Sequence, residues 1–281
     1  MTIKLGHPIS DRASRALILF GKLGYLTQRQ LCEFLFAGTT NTAESQRVMT
    51  SRVIKSLTSL KLVTVTARLI GGGVGGSAVG YYHLTSAGRR LAATFDETLP
   101  VEARRELRSS ISHTITVAEV VLLFHKKATA NPEHEISGWE TERTLAPRLG
   151  RSPVIPDVHL VYATKTSEIE MAVEVDMDTE RPKYFVAKIA RYLDLLQHGS
   201  WRQAFEDWPV VLTITPSERR AIALAAAAER YLTGRADWPR LKSSVEFAFA
   251  SLPCLASDGP FGHCWFVVGQ LGQHALTTEV E

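Results

Sequence analysis

The sequence predicts an α/β protein of more than one domain: a small helical part, then a larger part whose mixed sheet is covered by helices. Three observations predict it. The chain has 281 residues, enough for two ordinary domains or one large one. Its charge is divided unevenly. Residues 1–95 carry twelve Lys/Arg against three acids, a formal +9, whereas residues 96–281 carry twenty against twenty-six, a formal −6. The hydrophobic period also changes along the chain, from helical spacing before Leu60 to short β-rich runs separated by helices further on.

The composition, 45% apolar and 22% charged, is that of a soluble globular protein. No run reaches the roughly 18–20 apolar residues that a membrane span requires. The densest run, "AIALAAAAERYL" from Ala221, is broken by Glu229 and Arg230. The first residues, "MTIKLGHPISDR", lack the apolar core of a signal peptide. A cytoplasmic protein without membrane contact is expected. Cys32, Cys254 and Cys264 are widely or unhelpfully spaced, which suggests a reducing compartment and no disulfide framework. Cys254, His263 and Cys264 lack the paired close spacing of a zinc site.

In the basic part, "RASRALILFGKLG" places Ala13, Leu17, Phe20 and Leu23 on one helical face, stopped by Gly24. "LTQRQLCEFLF" starts a second helix with Thr27 as cap. A third helix lies in "ESQRVMTSRVIKSLTSLKLV". There Met49, Val53, Leu57 and Leu60 form the expected buried stripe, and Arg47, Ser51 and Lys55 the opposite face, with Gln46, Thr50 and Arg52 at its borders. "LVTVTARL" and "YYHLT" read as strands joined by the glycine-rich "IGGGVGGSAVG". Three helices followed by a hairpin is the order of a winged helix-turn-helix, assigned to residues 1–95. Its third helix would enter the major groove of double-stranded DNA and its hairpin would be the wing. The expected contacts are Gln46, Arg47, Thr50, Ser51, Arg52 and Lys55, with Arg68 on the hairpin.

Residues 96–112 read as a charged linker helix and residues 113–281 as the α/β domain. Within it, "VIPDVHLVY" and "IEMAVEVDM" are β-rich arms around the turn "ATKTSE". Glu174 and Asp176 lie two apart, so both point to one face of their strand. A hairpin centred between Lys165 and Thr166 sets Asp157 opposite Glu174, to within about two residues. Three carboxylates at one spot repel unless a cation holds them. Mg²⁺ or Mn²⁺ on Asp157, Glu174 and Asp176 is one solution. Basic side chains such as Arg181, Lys183 and Lys188 are the other. A helix should follow, capped by Asp178 or Thr179 and closed by Gly199.

The chain resembles the plasmid replication-relaxation family of bacterial mobile elements. The resemblance rests on "LTQRQLCEFLF", "YYHLTSAGRRL", "SHTITVAEVVL", "PDVHLVY", "AVEVDMDTERPKYFVAKIARY", "VVLTITPSERR" and "GPFGHCWF". It implies DNA-associated work in replication, relaxation or mobilisation, with plasmid replication or mobilisation proteins as partners. The second domain also resembles the PD-(D/E)xK nuclease fold, with Asp157 after Pro156 as first acid and Glu174 as second. The lysine expected two residues after Glu174 is replaced by Asp176. The resemblance implies that Lys188 on the next helix takes its role and that Glu140 or Glu142 completes the site. Three functions follow. One is a mobile-element DNA-binding protein whose nuclease-like domain is inert, another an active metal-dependent endonuclease or nickase. The third is a transcriptional regulator whose second domain senses a ligand or forms a homodimer.

Overall fold

The computed structural model describes residues 9–66, 80–101, 110–150, 152–179, 181–203 and 205–276. It is mixed α/β and divides into two compact units, Met1–Leu122 and Leu123–Glu281. Among the described residues no helix is long and apolar enough to cross a membrane.

In the first unit, α1 (Asp11–Leu23) begins where Ser10 Oγ accepts the Ala13 N–H and stops at Gly24, whose φ is 78°. After β1 (Leu26–Thr27), Thr27 and Gln30 cap α2 (Gln28–Phe36) reciprocally. Thr42 caps α3 (Ala43–Ser59). Strands β2 (Val63–Thr66) and β3 (Tyr81–Leu84) are the arms of the expected hairpin, and β1 pairs with the far side of β3, giving the antiparallel order β1-β3-β2. A turn later α4 (Ser86–Ala92) packs close. A Cβ on Gly88 would stand 2.0 Å from the Leu62 carbonyl oxygen, so the helix can sit there only with glycine. Leu17, Phe20, Leu31, Phe34 and Leu57 form the core. Helix α5 (Ile111–Thr129) crosses the boundary at Leu122, and in its first half the Ile115 carbonyl (2.9 Å) and Glu119 (3.0 Å) accept from the buried Gln30 amide. The glycine-rich tip, Arg68 and residues 102–109 of the expected linker helix lie outside the described residues.

One correction concerns α3. Its buried side chains are Thr50, Ile54 and Leu57, whereas Met49 and Val53 are only half-buried and Leu60 is 45% exposed. The inner face is therefore turned by one residue from the apolar pattern. Thr50 can join it because its hydroxyl donates to the Gln46 carbonyl at 2.8 Å, leaving its methyl group to pack.

The second unit is a six-stranded sheet with helices on it. Its elements are β4 (Glu135–Thr141), α6 (Glu142–Leu149), β5 (Val158–Ala163), β6 (Glu168–Val175), α7 (Pro182–His198), β7 (Val210–Thr215), α8 (Glu218–Thr233), α9 (Trp238–Leu241), β8 (Phe247–Ser251), α10 (Leu252–Asp258) and β9 (Phe266–Val267). The strand order is β4-β5-β6-β7-β8-β9. The pairs β4–β5, β5–β6 and β8–β9 are antiparallel, and β6–β7 and β7–β8 are parallel. Both faces are covered, so the parallel strands read as near-continuous apolar runs, "MAVEV", "VVLTI" and "FAFA". On one face Phe185, Ile189, Leu193, Leu224 and Ala228 pack over Ala172, Val211, Phe247 and Phe249. On the other, Tyr162 meets Phe124 and Phe261 ring to ring.

The expectation of no disulfide is overturned: Cys254 and Cys264 are joined, with Cα atoms 5.8 Å apart. Linear spacing hid this. The short helix α10 and the turn through Gly262 double the chain back across the ten-residue gap.

Candidate functional site

The β5–β6 hairpin has the register expected from its turn. Val158 pairs with Val173, so Asp157, one step before β5, lies across from Glu174. There Asp157 joins three elements through its own hydrogen bonds. Its Oδ2 accepts the Val175 N–H at 2.8 Å, and its carbonyl accepts the Glu142 N–H at 3.0 Å, where α6 begins.

Glu174 is 1% exposed. Lys188 of α7 donates to its Oε2 at 2.5 Å, and the Tyr192 hydroxyl, one turn further along, donates to its Oε1 at 2.6 Å. Burial pushes the Glu174 carboxyl up to about 7; Lys188 opposes this and the charge of Asp157 adds to it. Burial alone would lower the Lys188 ammonium, but Glu174 and then Asp157 outweigh it and hold it above its ordinary value, with Glu142 contributing. Burial and Glu174 raise the Tyr192 phenol well above its usual range. Lys188 keeps 31% of its side chain in solvent, and Asp157 and Glu142 are half-buried. Glu174, Lys188, Asp157 and Glu142 thus act on one another electrostatically.

Asp176 has a different partner. Arg220, at the start of α8, forks onto it with Nε–Oδ1 2.8 Å and Nη2–Oδ2 2.9 Å, and reaches Asp178 at 3.1 Å. Asp176 Oδ1 also accepts the Asp178 N–H at 2.8 Å. Asp178 itself has φ 55°, a left-handed conformation that Asp tolerates better than most residues. The turn "VDMD" is thus tied to α8. With its carboxylate on Arg220, Asp178 does not cap α7. That helix starts instead after Arg181, on Pro182, without a side-chain cap.

Of the two upstream acids, Glu140 pairs with Arg148. Glu142 is the one beside Asp157, because Thr141 pairs with Val158 and carries the next residue to the same edge. A further group stands next to Glu174. Thr213 is its partner across the parallel β6–β7 pair, is 1% exposed, and its hydroxyl has no hydrogen-bond partner. Tyr192, Arg220 and Thr213 were missed from sequence. For Tyr192 a signal existed, since it ends the string "KIARY" four residues after Lys188.

Asp157 and Glu174 offer carboxylate oxygens of the kind a hard divalent ion takes. Both Glu174 oxygens already accept, Oε2 from Lys188 and Oε1 from Tyr192, and each has a second lone pair. Thr213 is a buried hydroxyl in need of a partner.

On α3, Arg47, Ser51, Arg52 and Lys55 are exposed. Arg47 pairs with Glu44 at 2.7 Å across one turn. Gln46 is half-buried and its amide donates to Thr39 Oγ1 and the Asn41 carbonyl. Thr50 faces inward, as described above.

Fold and site together define a two-part α/β protein in which a small helical, basic unit is joined to a mixed sheet bearing a buried acid–lysine–tyrosine group near the C-terminal end of its inner strand β6. The chain belongs to the replication-relaxation family, whose model it matches over residues 17–211. That span contains Asp157, Glu174, Asp176, Lys188 and Tyr192. The membership assigns the protein a role in the replication or relaxation of a plasmid or other mobile element. No curated protein and no solved structure matches the chain.

Proposed function

We propose that the protein works on double-stranded DNA in the cytoplasm, that residues 1–95 are a winged helix that docks on the duplex, and that the second unit is a nuclease-like domain that nicks a strand. The observation that carries this reading is the convergence of Glu142, Asp157, Glu174 and Lys188 at the C-terminal end of the inner strand β6. It supplies the lysine that is missing two residues after Glu174. On the DNA side, the exposed row Arg47, Ser51, Arg52 and Lys55 on α3, next to a β2–β3 hairpin, supports docking by phosphate and base-edge contacts.

Asp157 and Glu174 would hold Mg²⁺ or Mn²⁺, with Glu142 and Thr213 at the margin. A bound ion of this kind supplies an activated water and stabilises the leaving oxygen. The chain's own residues do the rest. Lys188, with 31% of its side chain in solvent, would present its charge to a scissile phosphate. Tyr192 fixes the rotamer of Glu174. Arg220 neutralises Asp176 and keeps it out of the metal set, so Asp176 serves the turn and not the ion.

A second reading is an inert nuclease-like domain. It is favoured by the two donors already on Glu174, which satisfy that carboxylate without metal. Thermal unfolding with and without millimolar Mn²⁺ separates the two. Wild type should melt several degrees higher with the ion, because the folded state alone binds it, and Asp157→Asn or Glu174→Gln should remove the response. An unchanged melting temperature in wild type would favour the inert domain.

A further inference from the structure

Cys254 and Cys264 converge with a third group that a purely structural disulfide does not need. Asp258 ends α10, and its carboxylate and the two sulfurs offer ligand atoms that all lie within 4.8 Å of one another. The scaffold beneath them is tightly determined. Ser251 caps α10, its Oγ accepting the Cys254 N–H at 3.3 Å. Gly259 turns the chain at φ 81°. The Cys264 N–H donates to the Gly262 carbonyl at 2.8 Å, and a Cβ on Gly262 would stand 2.7 Å from the Asp258 carbonyl oxygen. Trp265, next in sequence, is fully buried, and its ring N–H donates to the Pro260 carbonyl at 2.8 Å. The two cysteines therefore ride on elements that have hydrogen bonds and packing of their own.

We propose that in the reduced protein Cys254, Cys264 and Asp258 bind one Zn²⁺. Two thiolates select a soft or borderline ion over Mg²⁺ or Ca²⁺, and three protein ligands leave one tetrahedral position for water or an outside ligand. Ser257, whose hydroxyl donates to Asp258 Oδ1 at 2.5 Å, orients the carboxylate. The disulfide and the ion use the same two sulfurs and exclude each other. Exchange with a low-molecular-weight disulfide would form the Cys254–Cys264 bond, release that reagent as two thiolates and eject Zn²⁺.

The test uses the full chain, reduced and freed of reductant without oxygen, titrated with Co²⁺ as a spectroscopic stand-in and then with Zn²⁺ against a chromophoric chelator. One equivalent should bind, with a thiolate-to-cobalt charge-transfer band. Cys254→Ser and Cys264→Ser should weaken binding beyond the roughly 10–100-fold typical of losing an outer-sphere partner, and Asp258→Asn should weaken it less. If a variant fails to fold, wild type with its disulfide intact still decides: it should bind one equivalent fewer than the reduced protein and show no charge-transfer band. Equal binding by oxidised and reduced protein, a missing charge-transfer band, or reduced protein that re-forms the disulfide without taking up zinc would each overturn the proposal. Cys32 is outside the pair in both forms and cannot account for a difference between them.

Discussion

Glu174 sits where a carboxylate is least welcome, in the buried second half of β6 beside another acid. Its carboxyl titrates near 7 in the folded protein against an ordinary value of 4.5. The folded state thus holds the proton more tightly than the unfolded chain. Its contribution is most favourable below the unfolded value, falls as pH rises through that interval and is flat above it, a span on the order of 3 kcal/mol. Lys188 is shifted upward from an already basic value, so its stabilising effect is lost only in strong alkali and does not enter this interval. In metal-free buffer, wild type should therefore lose stability to urea between about pH 5 and about pH 8, and Glu174→Gln should lose markedly less. Parallel losses in the two proteins would show that Glu174 does not titrate there. The placement of Asp157 opposite Glu174 was legible because strand alternation and a short turn determine a hairpin's register. The choice of Glu142 over Glu140 was not. It depends on β4, whose pairing with β5 contains an irregularity between Ile136 and Gly138 that no alternation pattern reveals.

Among the elements, the turn between β6 and α7 depends on a third one. Arg220 projects from α8 onto Asp176 and Asp178. Removing a buried partner strands the charge it matched, which costs roughly 3 kcal/mol or more. Arg220→Leu should destabilise the second unit by about that amount in chemical denaturation, and Arg220→Lys should recover only part, because an ammonium cannot reproduce the fork. An Arg220→Leu protein as stable as wild type would remove the turn-locking role. Helices α1, α2, α3 and α7 were legible from their period and caps, with stops at Gly24 and Gly199; the short helices α6, α9 and α10 were not. Which side chains cross between elements was not, since Arg220 and Tyr192 find partners on β6 only through packing. The same limit turned α3 by one residue. The Thr50 methyl packs inward although threonine reads as a surface residue, and Leu60 ends in solvent. For DNA docking the exposed row is what matters: Arg52→Ala or Lys55→Ala should each lower the salt-dependence slope of duplex affinity by about 1. An unchanged slope in both would move the DNA surface off this face of α3.

For the molecule as a whole, the proposed tasks of the two units are separate, polyanion binding for the first and cation-dependent chemistry for the second. The charge along the sequence changes sign near residue 95, whereas the two compact units meet at Leu122. What composition could not convey was how the acidic part distributes its cations, Arg220 on Asp176 and Asp178 and Lys188 on Glu174. The proposed strand cleavage is tested on DNA itself. Supercoiled plasmid carrying the mobile element that encodes the chain, incubated with the full-length protein and Mg²⁺ or Mn²⁺, should be converted to the open-circular form. Glu174→Gln, Asp157→Asn and Lys188→Met should abolish the conversion, and chelation should do the same. No conversion by wild type under either metal, or nicking that survives Glu174→Gln, would contradict the assignment of strand cleavage to this site.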